Sequence, residues 1–411
     1  MKKILPITIF LLLYMAFPSN SSKDKLQLFT ANKLKSTSLS RGTIFIAPNG
    51  KGDKCTEKEP CHIKGLDLYS PTITLQAGDV VFFRGGIYSY SMKNIRRIYL
   101  KGGTKDKPII YESYPNELAI FDGAKLSNKN EDKNKKEWRE GRLQLHGNYI
   151  KLRNIEVRNM PQYGIRIFGN HNIVEGCNVH HNSLSGIEIL NKKDLYSSKD
   201  TGGSYNMIQH NIIHHNSDVN LTYGNYNDGG NADGVTIHSG IDNVIRHNII
   251  FNNSDDGIDT YKSMHTCIEY NLVYYHGQGQ GNANGLKLGG PDPKLSINTI
   301  AMHNILFQNK GFGITVHGKE NNTTILYNTT YDNEKAGYAI LEDTVLSYNI
   351  SYEDKEGDVV WSQGLEQVSN SWQKAYTEPI FLNFNHLSNN FLHPTKESNL
   401  TNIGAYASEK R

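Results

Sequence analysis

This chain of 411 residues lacks most of the features that would place it in a simpler class. Four cysteines are too few for a miniprotein stapled by disulfides. Charge of one sign is missing: 44 Lys and Arg stand against 41 Asp and Glu, and no long basic run occurs, so nucleic acid is not an indicated partner. Charged residues, at 21%, are too sparse for a disordered tail protein, and hydrophobic ones, at 37%, too sparse for a multi-span membrane protein. No segment carries a long helical period; a short N-terminal capping helix near 62–68 is the one helical suggestion. What is abundant is Gly, with 37, Tyr, with 24, and Asn, with 45, of which 29 fall between 151 and 350. A local excess of Asn implies many similar turns, and so a repeat.

The first segment reads as an address. Lys2 and Lys3 precede an apolar stretch from Ile4 to Phe17, followed by polar residues 18–22. This fits a secretory signal peptide over 1–22, because the run is shorter than the ~20 residues of a spanning helix. No Cys follows it, so lipid attachment is not indicated. Residues 23–41 read as a spacer and 42–411 as the mature domain, secreted to the periplasm or outside the cell once the signal peptide is removed. Export permits disulfides. Cys55 and Cys61 are the candidate pair, and Cys177 and Cys267, in repeat strands, are expected as buried thiols.

After residue 150 a unit recurs: Gly, an apolar residue, a variable residue, then usually another apolar one. It begins at Gly164, Gly186, Gly234, Gly257, Gly285, Gly313 and Gly337, at spacings of 22, 48, 23, 28, 28 and 24. Between these stand Asn-bracketed units such as Asn211-Ile-Ile-His-His-Asn216 and Asn304-Ile-Leu-Phe-Gln-Asn309. A period near 22–24 made of short strands predicts a parallel β-helix; a leucine-rich repeat would need its Leu/Asn consensus and a propeller ~40 residues per blade. Equivalent residues should then stack roughly 4.8 Å apart, with Asn taking left-handed turn conformations and hydrogen-bonding the neighbour above, which accounts for the Asn excess. The 48-residue gap reads as one coil with insertions near 191–205 and 218–231. Core repeats are expected over about 143–350, with final coils and a cap closing the open core end over 351–411.

Alignment on the Gly turns the sequence into a surface map. Two residues after it stand Arg166, Glu188, Thr236, Asp259, Lys287, Thr315 and Ala339, a position expected to face outward because its neighbours are apolar. One residue before it stand Ser185, Asp233, Asp256 and Asn284. Three successive coils thus place Asp233, Asp255, Asp256, Asp259 and Lys287 on one patch. Carboxylates this close repel unless a cation lies between them, and oxygen-only ligands favour Ca²⁺. Histidines at 180, 181, 210, 214, 215, 238 and 247 sit at ladder and turn positions without a carboxylate–His pattern, so stacked surface histidines are expected in preference to a zinc site.

Asn231-Ala-Asp-Gly234, Asn253-Ser-Asp-Asp-Gly-Ile-Asp259 and Gly281-Asn-Ala-Asn-Gly-Leu-Lys-Leu-Gly-Gly290, in that order, resemble polysaccharide lyase family nine. The segment 78–88 resembles that family's entry coil. The resemblance implies an all-β, right-handed parallel β-helix, a secreted Ca²⁺-dependent pectate lyase, Lys287 as base, and Asp233, Asp255, Asp256 and Asp259 as Ca²⁺ ligands. Two departures touch substrate detail: Ile258 where an aromatic is common, and the extra Ala283.

The chemistry is coherent. A 4-linked uronic acid residue carries a weakly acidic carbon-bound proton beside its carboxylate. Ca²⁺ shared with the Asp cluster would stabilise the enolate-like transition state while Lys287 removes that proton, and the 4-oxygen leaves an unsaturated uronide behind. With an ordinary Lys pKa of about 10.4, an alkaline optimum is expected. Arg246, Lys262, Lys294, His317, Tyr223 and Tyr275 are candidates for holding the acidic polysaccharide, and a monomer is the default. Other readings are a lyase for rhamnogalacturonan, alginate or a glycosaminoglycan, a β-helix glycoside hydrolase using Asp255 and Asp256, and a non-catalytic carbohydrate-binding β-helix.

Overall fold

The computed structural model describes residues 42–67, 71–93, 95–126, 141–191, 202–290, 297–318, 322–340, 343–361, 365–378 and 380–407. The signal peptide, the spacer, Lys294 and most of the 191–205 insertion lie outside the described residues. Short strands wind into three parallel sheets, one of thirteen strands (sheet I) and two of ten (sheets II and III), beside one two-stranded pair. One coil shows the plan. Met207–Gln209 lies in sheet I, Ile212–His214 in sheet II and Val235–Ile237 in sheet III, and Val244–Arg246 then returns to sheet I. Met207 pairs with Val244, Ile213 with Ile250 and Val235 with Ile258. This is a parallel β-helix. Its stacking begins with Thr43–Ala47, a hundred residues before the expected repeats, and continues to Glu366–Val368.

Residue type explains each face. Sheet I and sheet II strands turn their middle residue inward, as in Ile208, Ile245 and Ile268, or Ile213, Ile250 and Val273, all fully buried in one continuous core. Sheet III strands instead turn both flanking residues inward, as in Val235 and Ile237 or Leu286 and Leu288, so the middle residue points away from the core. Each buried aliphatic side chain stabilises the coil by about 1.5–3 kcal/mol. The repeat Gly answers a close approach: a Cβ on Gly234 would lie 2.3 Å from Ile250 Cγ2 and 2.6 Å from the carbonyl of Gly257.

Asparagine bonds the neighbouring coil as expected, but the left-handed conformation falls mostly on another residue. At the turn from sheet I to sheet II the left-handed residue in most coils precedes the Asn: His210, His247, Tyr270, His303, Tyr327 and Tyr348 all have φ near +55°. The Asn that follows is buried and bonds the next coil. The Nδ2 groups of Asn211, Asn248, Asn271, Asn304, Asn328 and Asn349 each donate to the Asn one coil on, over 3.0–3.1 Å. The left-handed rings stack outside them with centroids 5.0 Å apart for His210–His247 and 4.8 Å for Tyr270–His303, which matches the coil repeat.

The ends are closed by different means. The expected N-terminal helix is one 3-10 turn, Ile63–Leu66, with Ile63 and Leu66 packed onto the core. Cys55 and Cys61 form a disulfide beside it, and Cys177 and Cys267 are buried thiols. At the other end Trp372 packs against the core, but residues 380–407 do not close it. They lie along sheet II, where Ile380, Phe381, Phe391, Leu392, Leu400 and Ile403 cover Leu272, Tyr274, Ile305, Phe307 and Ile350. That outer face is apolar, so it needs covering more than the end does.

Candidate active site

The site forms where sheet II hands the chain to sheet III in three successive coils. Asp233, Asp255 and Asp256 precede the strands Val235–Ile237 and Ile258–Thr260, while Asp259 and Lys287 are the outward middle residues of adjacent strands and pair in register. The outward position is not an exposed one: Glu188, Thr236, Asp259 and Thr315 are all buried.

One carboxylate oxygen from each of Asp233, Asp255 and Asp256 lies within 4.8 Å of the others. Asp259 is directed to the lysine, its Oδ2 accepting from Lys287 Nζ at 2.8 Å, and Asp256 Oδ2 stands 3.5 Å from the same nitrogen. Backbone and neutral side chains fix the trio. Asp233 Oδ1 accepts from the Asp256 N–H at 3.0 Å, Asp255 Oδ1 from the Asn282 N–H at 2.6 Å, and Asp256 Oδ1 from Asn284 Nδ2 at 2.8 Å. Thr236 Oγ1 and Ser185 Oγ both bond Asp233 Oδ2.

The electrostatics are unbalanced. Desolvation, then the neighbouring carboxylates, raises the pKa of Asp233 and of Asp255; desolvation also raises Asp256, against the opposing pull of Lys287. Lys287 is raised too: burial pulls it down, and Asp259, Asp256 and Asp233 together outweigh burial. Asp256 Oδ2 and Asp259 Oδ1 are buried and accept no hydrogen bond. An all-oxygen set with spare buried acceptors fits a hard divalent cation such as Ca²⁺. Asp233, Asp255, Asp256 and, through its spare Oδ1, Asp259 are the residues that would hold it, with Asp259 Oδ2 bonding Lys287.

The other sequence candidates divide. His317 follows the strand Ile314–Val316, beside Lys287 in sheet III. Desolvation, then the Lys287 charge, lowers its pKa. Lys262 sits over the Tyr261 ring at 5.1 Å, just past the Asp259 strand. Tyr223 packs on Tyr226 inside the 218–231 insertion, which Asp218 ties down by accepting from the Asn227 N–H. Arg246 belongs to sheet I, where it donates to Gln209. Tyr275 belongs to the sheet II flank, against Tyr274 and Phe307. Closeness in sequence to Asp255 misleads for these two, because one coil faces three ways. Ser185, Thr236 and Asn284 were not singled out, although each stands in a ladder already aligned on the repeat Gly.

The expected histidine stacks exist. His180 lies parallel to His214 at 4.7 Å and His181 to His215 at 5.1 Å. A carboxylate partner is also present, since Glu156 Oε1 is 3.4 Å from His180 Nε2.

Comparison with known proteins places the fold. The profile described as "Pel9A-like, right handed beta helix region" matches residues 44–356. Pectate lyase L of Paenibacillus polymyxa is 27% identical over 377 residues, covering 87% of this chain and 78% of that protein. Pectate lyase L of Dickeya dadantii is 25% identical, covering 77% and 72%. The crystal structure of pectate lyase Pel9A superposes with a TM-score of 0.69 at 21% identity, covering 91% of this chain and 94% of that one.

Proposed function

The chain belongs to the Pel9A-like right-handed β-helix family and is a polysaccharide lyase; from that premise we propose that it cleaves a 4-linked uronan, pectate first, by Ca²⁺-dependent β-elimination with Lys287 as the base. The observation that carries this reading is the pairing of Lys287 with Asp259 directly beside three converged buried carboxylates. Bound by Asp233, Asp255, Asp256 and Asp259, Ca²⁺ would neutralise a substrate carboxylate and stabilise the negative charge that develops beside it.

The side chains divide the remaining work. Ser185, Thr236, Asn282 and Asn284 hold the carboxylates in place before substrate arrives, so no reorganisation is needed at the moment of reaction. With the carboxylates uncompensated Lys287 stays protonated; neutralising them removes that pull, so its basicity is coupled to cation occupancy. Deprotonated Lys287 takes the carbon-bound proton next to the uronate carboxylate. The electron pair forms the ring double bond, the bond to the 4-oxygen breaks, and water protonates the leaving oxygen. The N-terminal apolar stretch and the Cys55–Cys61 disulfide support a secreted enzyme.

The test is near-ultraviolet absorbance of products from polygalacturonate at alkaline pH, with Ca²⁺ and with EDTA. Absorbance that needs both Ca²⁺ and Lys287 supports the reading. Product from another uronan alone would change the substrate, and no unsaturated product from any uronan would end the elimination mechanism.

A further inference from the structure

A second cluster of metal-ligating groups lies on the sheet II flank, in the coil that carries Asp233 and the coil before it. His180 and His214 end the strands Asn178–His180 and Ile212–His214, which pair in register, and His181 and His215 are the left-handed residues that follow them. One ring nitrogen from each of His180, His181 and His214 lies within 4.8 Å of the other two. Within each coil the Nδ1 atoms converge: 2.7 Å for His180–His181 and 2.7 Å for His214–His215.

The groups outside the cluster set the protonation. Glu156 Oε1, which also accepts from Arg158 Nη1 at 2.8 Å, faces His180 Nε2. Asn178 Oδ1 faces His214 Nε2 at 3.1 Å. Both outer atoms accept, so each imidazole carries its proton on Nε2 and turns a Nδ1 lone pair inward. Second partners of this kind orient metal-binding histidines. His215 differs: Asn252 Nδ2 donates to its Nε2 at 3.3 Å, which leaves its proton on Nδ1, directed at His214. The His215 ring is therefore a hydrogen-bond donor to the cluster and not a ligand of it. His181 Nδ1 likewise donates to the His180 lone pair in the metal-free protein, but among the described residues no donor faces its exposed Nε2, so that ring can carry its proton on Nε2 and free Nδ1 for a metal. His181 is exposed, which leaves a path from solvent.

We propose that His180, His181 and His214 form a binding site for a divalent transition metal of the Zn²⁺ and Cu²⁺ class, through three Nδ1 atoms, separate from the acidic site. Three imidazoles without a carboxylate ligand select borderline metals over Ca²⁺. The acidic trio selects the reverse, so one chain would sort two kinds of cation by donor type.

The test is calorimetric titration of the untagged protein with Zn²⁺ near neutral pH, with Ca²⁺ in excess throughout. One equivalent should bind. His181→Ala and His214→Ala should each abolish that equivalent, and Glu156→Gln, which keeps every ligand, should weaken it by roughly 10- to 100-fold. His210→Ala, which removes a stacked histidine outside the cluster, should change nothing. With Co²⁺ in place of Zn²⁺ a visible ligand-field band should appear and vanish with His181→Ala. Absence of binding to the wild type overturns the proposal. So does unchanged binding in both His181→Ala and His214→Ala, or an equivalent lost in Asp255→Asn and kept in the histidine variants.

Discussion

The two turns on either side of sheet II share a plan and diverge at one point. Each has a left-handed residue followed by a buried amide that links to the next coil. On the side facing sheet I the amides run unbroken from Asn211 to Asn370. On the side facing sheet III the column reads Asn182, Asn216, Asn253, His276, Asn309, Asn333, and His276 interrupts it. Asn253 leads straight into Asp255 and Asp256. The first turn has no freedom, because two residues separate one strand from the next. The second opens into a crossing of variable length, where insertions and charged groups can be added without disturbing the core. Repetition holds the molecule together, and the candidate site lies where the repetition breaks.

The widest separation of the two turns should come from paired substitutions. Lys287→Ala should lower kcat/KM on polygalacturonate by about 10²- to 10⁴-fold without changing stability to denaturant by a comparable amount. Asn304→Ala should do the opposite. It removes the acceptor for the Asn271 N–H and the donor to the Ile268 carbonyl, both buried, and should cost about 2–4 kcal/mol in urea unfolding while activity per folded molecule persists. Equal effects of the two variants on activity would erase the distinction.

Calcium should sharpen it through pH. Burial and mutual repulsion raise Asp233 to about 7 and Asp256 to about 6. Raised carboxyl groups favour the metal-free fold at low pH, and that contribution is lost as pH rises through their folded values. Protons and cation compete for the same oxygens, so the gain in Tm on adding Ca²⁺ should grow from about pH 5 to about pH 8. A gain that is flat across that range, or one retained in Asp255→Asn, would count against the acidic trio.

The smallest effect belongs to the interruption itself. His276 is fully buried, its Nε2 makes no hydrogen bond, and burial lowers its pKa to about 3. Below its ordinary value of 6.5 the unfolded chain takes a proton that the folded chain refuses, so stability falls as pH drops from 6.5 towards 3. His276→Asn should flatten that slope and add up to about 1 kcal/mol at neutral pH by completing the column. A variant with the wild-type acid slope would show that His276 does not set it.

Much of this was legible in the residues. The Gly spacing predicts coils, and counting from Gly correctly brings Asp233, Asp255, Asp256, Asp259 and Lys287 onto three neighbouring turns. Two kinds of information were not legible. Period alone does not say which of three faces a residue occupies, so Arg246 and Tyr275 looked close to a site from which the winding separates them. Nor does it distinguish a left-handed residue from the amide beside it; His210 takes the strained conformation and Asn211 the ladder. The tail was misplaced for a related reason: outward apolar residues on sheet II, Tyr274 and Phe307 among them, look in sequence like any other strand residue until a segment is needed to cover them.

The strap formed by residues 380–407 changes how the solenoid should come apart. In a stack where each coil touches only its neighbours, unfolding proceeds like an unzipping from whichever end opens first. The strap reaches Leu272–Tyr274, Ile305–Phe307, Tyr331 and Ile350–Tyr352, on four successive coils. It ties these into one cooperative block, so the C-terminal end cannot fray coil by coil. The lysine coil, Leu286–Leu288, runs between the first two of those strands and so melts with the block as a unit.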